Sequence, residues 1–215
     1  MLELLIVIAI VAILSVSLVI VLNPAETLKK ARDAQRISDL STLKTAIGLY
    51  LTNVNPVYLG GAASNTECQA TAGTWQAGDK IFYSTPSSSA ITDAVLDGAG
   101  GALDVQVATP GLVDATGWIP IDFTDIPGGA PISVLPVDPV NDAAYGGSAL
   151  DAITDEALVY RYGCSVSPVA YEVDATLEST AYTVTDDKRA SDGGNNTHLY
   201  ETGTNLSIFG TGQDF

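Results

Sequence analysis

The sequence predicts an α+β protein in which a long N-terminal helix packs on an antiparallel β-sheet head with long loops. Two observations predict the helix: residues 1–22 are almost all apolar, and apolar residues recur at helical spacing through residues 23–55. A third observation predicts the head, because residues 56–215 are rich in Gly, Ser, Thr and Asp and lose the helical periodicity. The chain is therefore divided into a transmembrane helix, an amphipathic helical stalk and a β-rich globular head.

The apolar segment at residues 1–22 is long enough to cross a membrane. Roughly 20 apolar residues, each rising about 1.5 Å along a helix, match a hydrocarbon core of ~30 Å. Glu3 interrupts this segment near its start. An ionisable group there is a functional hypothesis by default, because its charge costs about 2.5 to 3.5 kcal/mol at the bilayer centre. The alternative is that Glu3, so close to the terminus, simply reaches the headgroups, and this segment alone leaves both interpretations open.

The amphipathic stalk is predicted to start, or to restart after a kink, at Pro24. Asn23 suits the N-cap, Pro24 suits the first helical position, and Glu26 stands where it can close a capping box. Apolar residues then recur at helical spacing from Leu28 to Val54, with charged residues between them. We therefore expect one helix of about 30 residues that ends near residues 53–56.

The head is predicted to consist of short strands joined by long loops. Strands are predicted at residues 80–84, 103–108, 157–162 and 169–173. The last two of these segments are enriched in β-branched and aromatic residues and are bounded by Gly, Ser and Pro. The last two are expected to be antiparallel neighbours, and residues 175–179 could continue the second of them.

Two further segments of the head are predicted to lack regular structure. Residues 84–89 (STPSSS) are expected to form an exposed turn, and residues 186–203 a polar loop.

Charge is distributed unevenly along the chain. The formal net charge is −16, and residues 52–215 carry four basic against twenty-one acidic side chains. A head this acidic is not expected to bind nucleic acid, because affinity for nucleic acid depends on neutralising phosphates. Residues 24–51 carry five basic against three acidic side chains. These stalk cations are expected either to pair with acidic groups of neighbouring subunits or to be solvated.

Catalysis is not expected from this sequence. His198 is the only histidine and lies in a stretch rich in Gly and Asn. No Gly-x-Ser-x-Gly elbow, phosphate-binding glycine loop or HExxH motif is present. Carboxylate-pair chemistry is the one enzymatic class that an acidic head leaves open.

The N-terminal half resembles the type IV pilins and the related pseudopilins of type II secretion. The resemblance is carried by LELLIVIAIVAIL, which begins at Leu2, and by the long amphipathic helix after it. Trp118-Ile119-Pro120, Leu135-Pro136-Val137-Asp138-Pro139 and the Tyr-rich segment Tyr160–Tyr162 resemble, in this order, the motifs of the major-pseudopilin-like head. The resemblance implies a structural subunit that is anchored in the inner membrane as a precursor and then polymerises into an extracellular filament.

The resemblance also implies partners and leaves three functional alternatives. A prepilin peptidase would cleave a basic leader, the new first residue would be methylated, and pilus assembly machinery would build the filament. The implied product is a surface pilus for adhesion or motility, and the alternative within the family is a short pseudopilus for secretion. Outside the family, the alternative is a single-span surface binding protein that never polymerises.

Glu3 matches the glutamate that, in this family, is thought to neutralise the free N-terminal amine of an adjacent subunit. A buried carboxylate that faces an ammonium can stay charged, which agrees with this role. The resemblance assigns subunit packing to the apolar residues that follow, which are Leu4, Leu5, Ile6, Ile8, Ile10, Ile13 and Leu14.

The sequence departs from the family at two places. Met1 stands at the third position of a mature family chain, so cleavage and methylation are implied by the resemblance alone. Pro24 lies further from the glutamate than the proline that is familiar in many pilins.

Two further features of the head bear on its stability. Cys68 and Cys164 are a candidate disulfide if the head lies outside the cytoplasm, and the alternative is two free buried thiols. The loop after residue 185 offers oxygen ligands of the kind that Ca²⁺ prefers. These candidate ligands, against the alternative of a solvated Asx-rich turn, are Asp186, Asp187, Asp192, Asn195 and Asn196.

Overall fold

The computed structural model describes residues 1–76, 78–86, 91, 103–147 and 153–211, without the side chains of residues 19–22 and 103–104. In this part of the chain the predicted α+β class is confirmed. The N-terminal region forms two helices, α1 (Leu2–Leu22) and α2 (Pro24–Asn53). Asn23 separates them in the left-handed conformation, at φ 36° and ψ 72°. The predicted restart of the helix at Pro24 and its predicted end are both confirmed.

The predicted membrane span is not supported. Within the described residues, none of the helices combines the length and the apolar character that crossing a membrane requires.

In the described part of the chain, the sheet has five strands in the order β2-β1-β3-β4-β5. Their bounds are β1 Lys80–Pro86, β2 Leu103–Val107, β3 Tyr160–Val166, β4 Val169–Thr176 and β5 Leu199–Gly203. The β1–β3, β3–β4 and β4–β5 pairs are antiparallel, whereas β1 and β2 are parallel. The prediction of a purely antiparallel sheet is therefore wrong. A parallel pair needs a crossover of a dozen or more residues, and the segment 87–102 between β1 and β2 is long enough.

The individual strands differ from the predictions mainly at their ends. β3 begins three residues later than predicted and continues to Val166, and β4 extends to Thr176. The predicted polar loop at 186–203 is wrong at its end, where β5 pairs with β4. Ser84 to Pro86 belong to β1 rather than to the predicted turn, and residues 87–89 lie outside the described residues.

Side chains alternate between two hydrophobic cores on opposite faces of the sheet. One core combines the buried stripe of α2 with the sheet, and it includes Leu40, Leu43, Ile47, Tyr50, Phe82, Trp118, Phe123, Tyr160, Tyr162 and Tyr171. The other core lies on the far face, and includes Ile81, Tyr83, Ile91, Ile153, Val159, Leu199 and Phe209.

Cys68 and Cys164 form a disulfide across a sequence separation of 96 residues. The predicted disulfide is thus confirmed, and the alternative of two free thiols is excluded. The bond joins the loop after α2 to β3 inside the core that faces α2.

Candidate assembly site

Helix α1 presents apolar side chains to solvent on every side. All its residues from Leu2 to Leu18 are exposed. The side chains to which the resemblance assigns subunit packing are between 53% and 69% exposed, and these are Leu4, Leu5, Ile6, Ile8, Ile10, Ile13 and Leu14. A helix that is apolar all round is normally buried, and exposed apolar surface of this extent marks an interaction site.

The two hydroxyl groups of α1 do not interrupt this apolar surface. The hydroxyl of Ser15 donates to the carbonyl oxygen of Val11 at 2.8 Å, and that of Ser17 donates to Ile13 at 2.9 Å. Both bonds run along the helix to the residue four positions earlier, so they satisfy the hydroxyl protons within the helix itself. The helix therefore offers its surroundings methyl and methylene groups almost exclusively.

Glu3 is the only ionisable side chain between Leu2 and Leu22. It lies in the first turn of α1, where the partial positive charge of the helix N-terminus favours a carboxylate. The first basic side chain after it is Lys29, beyond the helix break. If α1 is enclosed by other helices, a charge partner for Glu3 must come from an N-terminus or from another molecule.

Asn23 caps two helices at once. Its left-handed backbone ends α1, and its side-chain oxygen accepts a hydrogen bond from the backbone N–H of Glu26 at 3.4 Å. The predicted N-cap is therefore confirmed, with Pro24 at the first position of α2.

The predicted capping box is wrong for Glu26. Its carboxylate accepts hydrogen bonds from the hydroxyl of Thr180 at 2.7 Å and from the backbone N–H of Ala181 at 3.4 Å. The hydrogen bond from Thr180 lowers the pKa of Glu26 below its ordinary value. These donors open a π-helical turn at Ala181–Thr185, so Glu26 connects the start of α2 to the head instead of to its own backbone.

Arg36 lies between α2 and the head with its side chain fully buried. It donates to both oxygens of Asp138, with Nε to Oδ2 at 2.6 Å and Nη2 to Oδ1 at 3.0 Å. Its Nη1 donates to Asp33 at 2.8 Å and to Glu178 at 2.6 Å. Burial alone would lower the pKa of Arg36, but the hydrogen bonds and charges of Asp138 and Glu178 raise it overall. The guanidinium is therefore charged inside the protein, and each of its three nitrogens donates at least one hydrogen bond.

Glu178 receives a second guanidinium, from Arg32. Arg32 donates to Glu178 through Nε at 2.8 Å and through Nη2 at 2.6 Å. Burial opposes ionisation of Glu178, but hydrogen bonds from Arg32 and Arg36 lower its pKa below the ordinary value. Asp33 accepts from the backbone N–H groups of Glu178 and Ser179, at 3.0 Å and 2.7 Å. The segment around residue 178 thus fixes the first turns of α2 to the head.

The stalk cations divide into two groups, and one of them contradicts the prediction. Arg36 is fully buried and Arg32 is partly exposed, and both pair with acidic groups of their own chain instead of those of neighbouring subunits. Lys30 and Lys44 are exposed, and Lys30 lies 5.7 Å from the ring centre of Tyr182.

The two proline-containing motifs of the head, at residues 118–120 and 135–139, are in contact next to Arg36, where α2 packs on the head. The indole N–H of Trp118 donates to the carbonyl oxygen of Pro136 at 2.8 Å. Asp138, two residues further on, accepts from the backbone N–H groups of Val140 and Asn141 in addition to Arg36. Together these bonds fix the position of the Asp138 carboxylate so that both of its oxygens accept from Arg36.

The contacts of Arg36 were missed by the sequence analysis, although a signal was present. Asp33 and Arg36 continue, at spacings of three and four residues, the buried stripe of α2 formed by Leu40, Leu43 and Ile47. Charged residues in line with a buried stripe indicate a buried ion pair.

The candidate calcium ligands are engaged by the protein itself. Asp186 pairs with Lys188 at 2.6 Å, and Asp187 pairs with Arg189 at 3.0 Å.

The remaining candidate ligands do not complete a site either. Asp192 accepts from the backbone N–H groups of Gly194 and Glu201, both at 2.8 Å. Asn196 accepts from the backbone N–H of His198 at 2.8 Å, whereas Asn195 is exposed. Across the described residues, no group of three or more His, Cys, Asp and Glu side chains is arranged to hold a metal ion.

Comparisons with protein-family models, with curated proteins and with solved structures gave no match.

Proposed function

We propose that this chain is a type IV pilin-like structural subunit that polymerises through α1 into an extracellular filament. The observation that carries the proposal is the exposure of α1, whose side chains from Leu2 to Leu18 are apolar apart from Glu3, Ser15 and Ser17. Burial of a Leu or Ile side chain contributes about 1.5 to 3 kcal/mol. A helix carrying this much apolar surface has a large driving force to associate.

Copies of the same chain are the partner that best fits this surface. The apolar surface of α1 surrounds the helix, so contact with one flat partner would leave much of it in water. A helical array encloses each α1 within neighbouring α1 helices on all sides. Head-to-tail contacts between identical subunits that do not close into a ring produce a filament.

The contacts between α2 and the head support a role for α1 alone in assembly. The apolar stripe of α2 is covered by the head's core, and Arg36 and Glu26 tie its first turns to the segment around Glu178 and Thr180. The head therefore stays fixed on its own α2, while α1 is available for other subunits.

Glu3 supplies the polar contact that sets the position of each subunit. Within a core of apolar helices, a single carboxylate in each subunit is stable only if a cation faces it. The resemblance to pilins indicates the N-terminal amine of the adjacent subunit as that cation. A subunit that docks out of register would bury Glu3 without a partner, so the pair selects one arrangement.

The disulfide between Cys68 and Cys164 supports an extracellular location for the head, since disulfides persist in oxidising compartments. Processing by a prepilin peptidase and delivery by pilus assembly machinery belong to the same proposal through the resemblance.

The proposal is tested by replacing Glu3 in the native cells. Glu3→Ala should abolish or greatly reduce surface filaments in electron micrographs, while immunoblots still detect the subunit. Asp125→Ala is the matched control, because Asp125 is an exposed carboxylate of the head, and it should leave filaments unchanged. Normal filaments in the Glu3→Ala cells, or an extracted protein that stays monomeric, would contradict the proposal. Monomers would indicate a surface binding protein instead.

A pseudopilin of type II secretion is the second candidate. The contact between Trp118 and Pro136 favours it, because these residues belong to the two motifs that resemble the major-pseudopilin-like head. Long surface filaments on cells with native expression would favour the pilin, and their absence together with a secretion defect on deletion would favour the pseudopilin.

A further inference from the structure

Three carboxylates are buried together on the far face of the sheet. Glu172 and Asp174 lie two residues apart on β4, so they project from the same face. Asp174 is directly opposite Glu201 on β5, which places all three carboxylates side by side. Their exposed fractions are 0%, 0% and 2%. Arg161 on β3 is opposite Asp174 and donates to it at 3.2 Å.

The C-terminal segment, residues 205–211, covers Glu172. One oxygen of Glu172, Oε2, accepts hydrogen bonds from the backbone N–H groups of Ile208 at 2.8 Å and Phe209 at 3.1 Å. Gly163 on β3 is opposite Glu172, and a Cβ atom there would lie 2.9 Å from the Phe209 ring. Glycine at this position therefore allows the segment to approach the strand closely.

Glu201 is held by the loop that precedes β5. Its Oε2 accepts from the backbone N–H of Asn196 at 2.8 Å. The side-chain amide of Asn196 donates to the carbonyl oxygen of Gly210 at 3.0 Å, which connects this loop to the C-terminal segment. The two glutamates thus meet beneath both covering segments.

The second oxygens of these glutamates are left without donors. Glu172 Oε1 and Glu201 Oε1 are buried and, among the described residues, accept no hydrogen bond. Two buried carboxylates in contact cannot both be charged without a large cost, but one that is protonated can donate to the other. Burial first, and then the hydrogen bond to Glu201, raise the pKa of Glu172 to about 10.

We propose that Glu172 carries a proton, shared with Glu201, and that this proton keeps the C-terminal segment on the sheet. Removing it at alkaline pH would create a second buried negative charge beside Glu201. The charged and titratable groups that share this face with Glu172 are Asp174 on its own strand, and Glu201 on β5 and Arg161 on β3, which are both opposite Asp174. Asp192 accepts from the backbone of Glu201. Because Arg161 already pairs with Asp174, the second charge must be stabilised by water, which reaches Glu172 only when the C-terminal segment leaves the sheet. The backbone N–H groups of Ile208 and Phe209 oppose this displacement, since their hydrogen bonds favour the charged carboxylate.

The pH dependence has a definite sign. The pKa of Glu172 is higher in the folded chain than its ordinary value, so the folded state holds a proton that the unfolded state releases. The folding equilibrium constant should therefore fall by up to about tenfold per pH unit as the pH rises toward 10. Burial also raises the pKa of Asp174, to about 7, so the contribution of Glu172 is isolated at higher pH.

The test compares the full-length wild-type chain with Glu172→Gln, Glu201→Gln and the exposed control Glu156→Gln. Urea unfolding is followed by tryptophan fluorescence between about pH 7.5 and 9.5. Wild type and Glu156→Gln should lose stability as the pH rises, whereas Glu172→Gln should lose much less. Hydrogen exchange at Ile208 and Phe209 should accelerate more with pH in wild type than in Glu172→Gln. Infrared spectra of wild type at about pH 8.5, above the pKa of Asp174, should contain a protonated carboxylic acid band that Glu172→Gln lacks.

Two results would overturn the proposal. One is an identical pH profile in wild type and Glu172→Gln, or in wild type and Glu201→Gln if the first variant does not fold. The other is absence of the carboxylic acid band at about pH 8.5 together with stabilisation by added Ca²⁺ or Mg²⁺. That second result would mean that a cation, and not a proton, neutralises the two glutamates.

Discussion

Arg36 and Asp138 form a bidentate ion pair that is closed to solvent on both sides, with Nε–Oδ2 and Nη2–Oδ1 distances of 2.6 Å and 3.0 Å. One residue lies on α2 and the other in the connection between β2 and β3, so the pair joins parts of the chain that are distant in sequence. A buried ion pair is favourable only when its hydrogen bonds compensate for lost hydration. Here every nitrogen of the guanidinium has an acceptor, because Asp33 and Glu178 accept from the remaining Arg36 nitrogen.

We expect Asp138→Ala to destabilise the head by about 3 to 5 kcal/mol, because it removes two acceptors from a buried guanidinium. The free energy of unfolding in urea measures this effect. Asp186→Ala is the matched control, since it breaks an ion pair with Lys188 that is largely exposed, and it should cost about 1 kcal/mol or less. Equal losses in the two variants would mean that burial does not decide the strength of the pair.

The buried position of Arg36 could have been predicted, because it follows from the stripe on α2. The burial of Glu172 could not. Residues 169–176 alternate in the manner of a strand with one solvent-facing side, and the acidic residues fall on that side. Only the return of the C-terminal segment over the sheet buries them, and local sequence carries no signal for that long-range contact. The parallel β1–β2 pair escaped prediction for the same reason, since pairing direction depends on the path of the connection.

The acid sensitivity of the junction should depend on Glu178. Hydrogen bonds from Arg32 and Arg36 lower its pKa in the folded chain, so its contribution to stability is present above the ordinary value near 4.5. That contribution is lost as the pH falls through the lowered folded-state pKa. Glu178→Gln should already be destabilised at neutral pH and should lose less stability than wild type on acidification below about pH 4.5. Thermal melts followed by circular dichroism measure the stability of wild type and Glu178→Gln at each pH. If the two proteins lost the same stability on acidification, Glu178 would not be the acid-sensitive group of the junction.

Opening the disulfide should destabilise the head by about 2 to 4 kcal/mol, because Cys68 and Cys164 close a long loop of the unfolded chain. The double substitution Cys68→Ala/Cys164→Ala should reproduce the effect of a reducing agent on wild type. Urea unfolding with and without the reductant provides the measurement. Since the variant has no thiols, a further loss of its stability in reductant would show that the agent acts elsewhere.

The hydrogen bond between Trp118 and Pro136 should stabilise the head in addition to the packing of the Trp118 ring. Trp118→Phe keeps an aromatic ring in the core but removes the donor to the partly buried carbonyl oxygen of Pro136, at a cost of about 0.5 to 1.5 kcal/mol. Trp75→Phe is the control, because Trp75 is only half-buried and stacks near Phe209 at a ring distance of 5.9 Å. Unfolding is followed by circular dichroism, so that loss of a fluorophore does not affect the comparison. A larger loss in Trp75→Phe would be inconsistent with this role.

Two small replacements of Asn23, at the junction of α1 and α2, should differ clearly in stability. Asn23→Gly tolerates the left-handed backbone and should cost only a few tenths of a kcal/mol. Asn23→Ala loses the side-chain acceptor for Glu26 and disfavours the left-handed conformation, so it should cost about 1 to 2 kcal/mol. Hydrogen exchange at the backbone N–H of Glu26 reports the change locally, and it should accelerate more in the alanine variant.

Because the break at Asn23 ends α1 before α2 begins, filaments should also form less efficiently from Asn23→Ala than from Asn23→Gly. Equal assembly by the two variants would mean that the angle between the helices is set by packing between subunits and not by this residue.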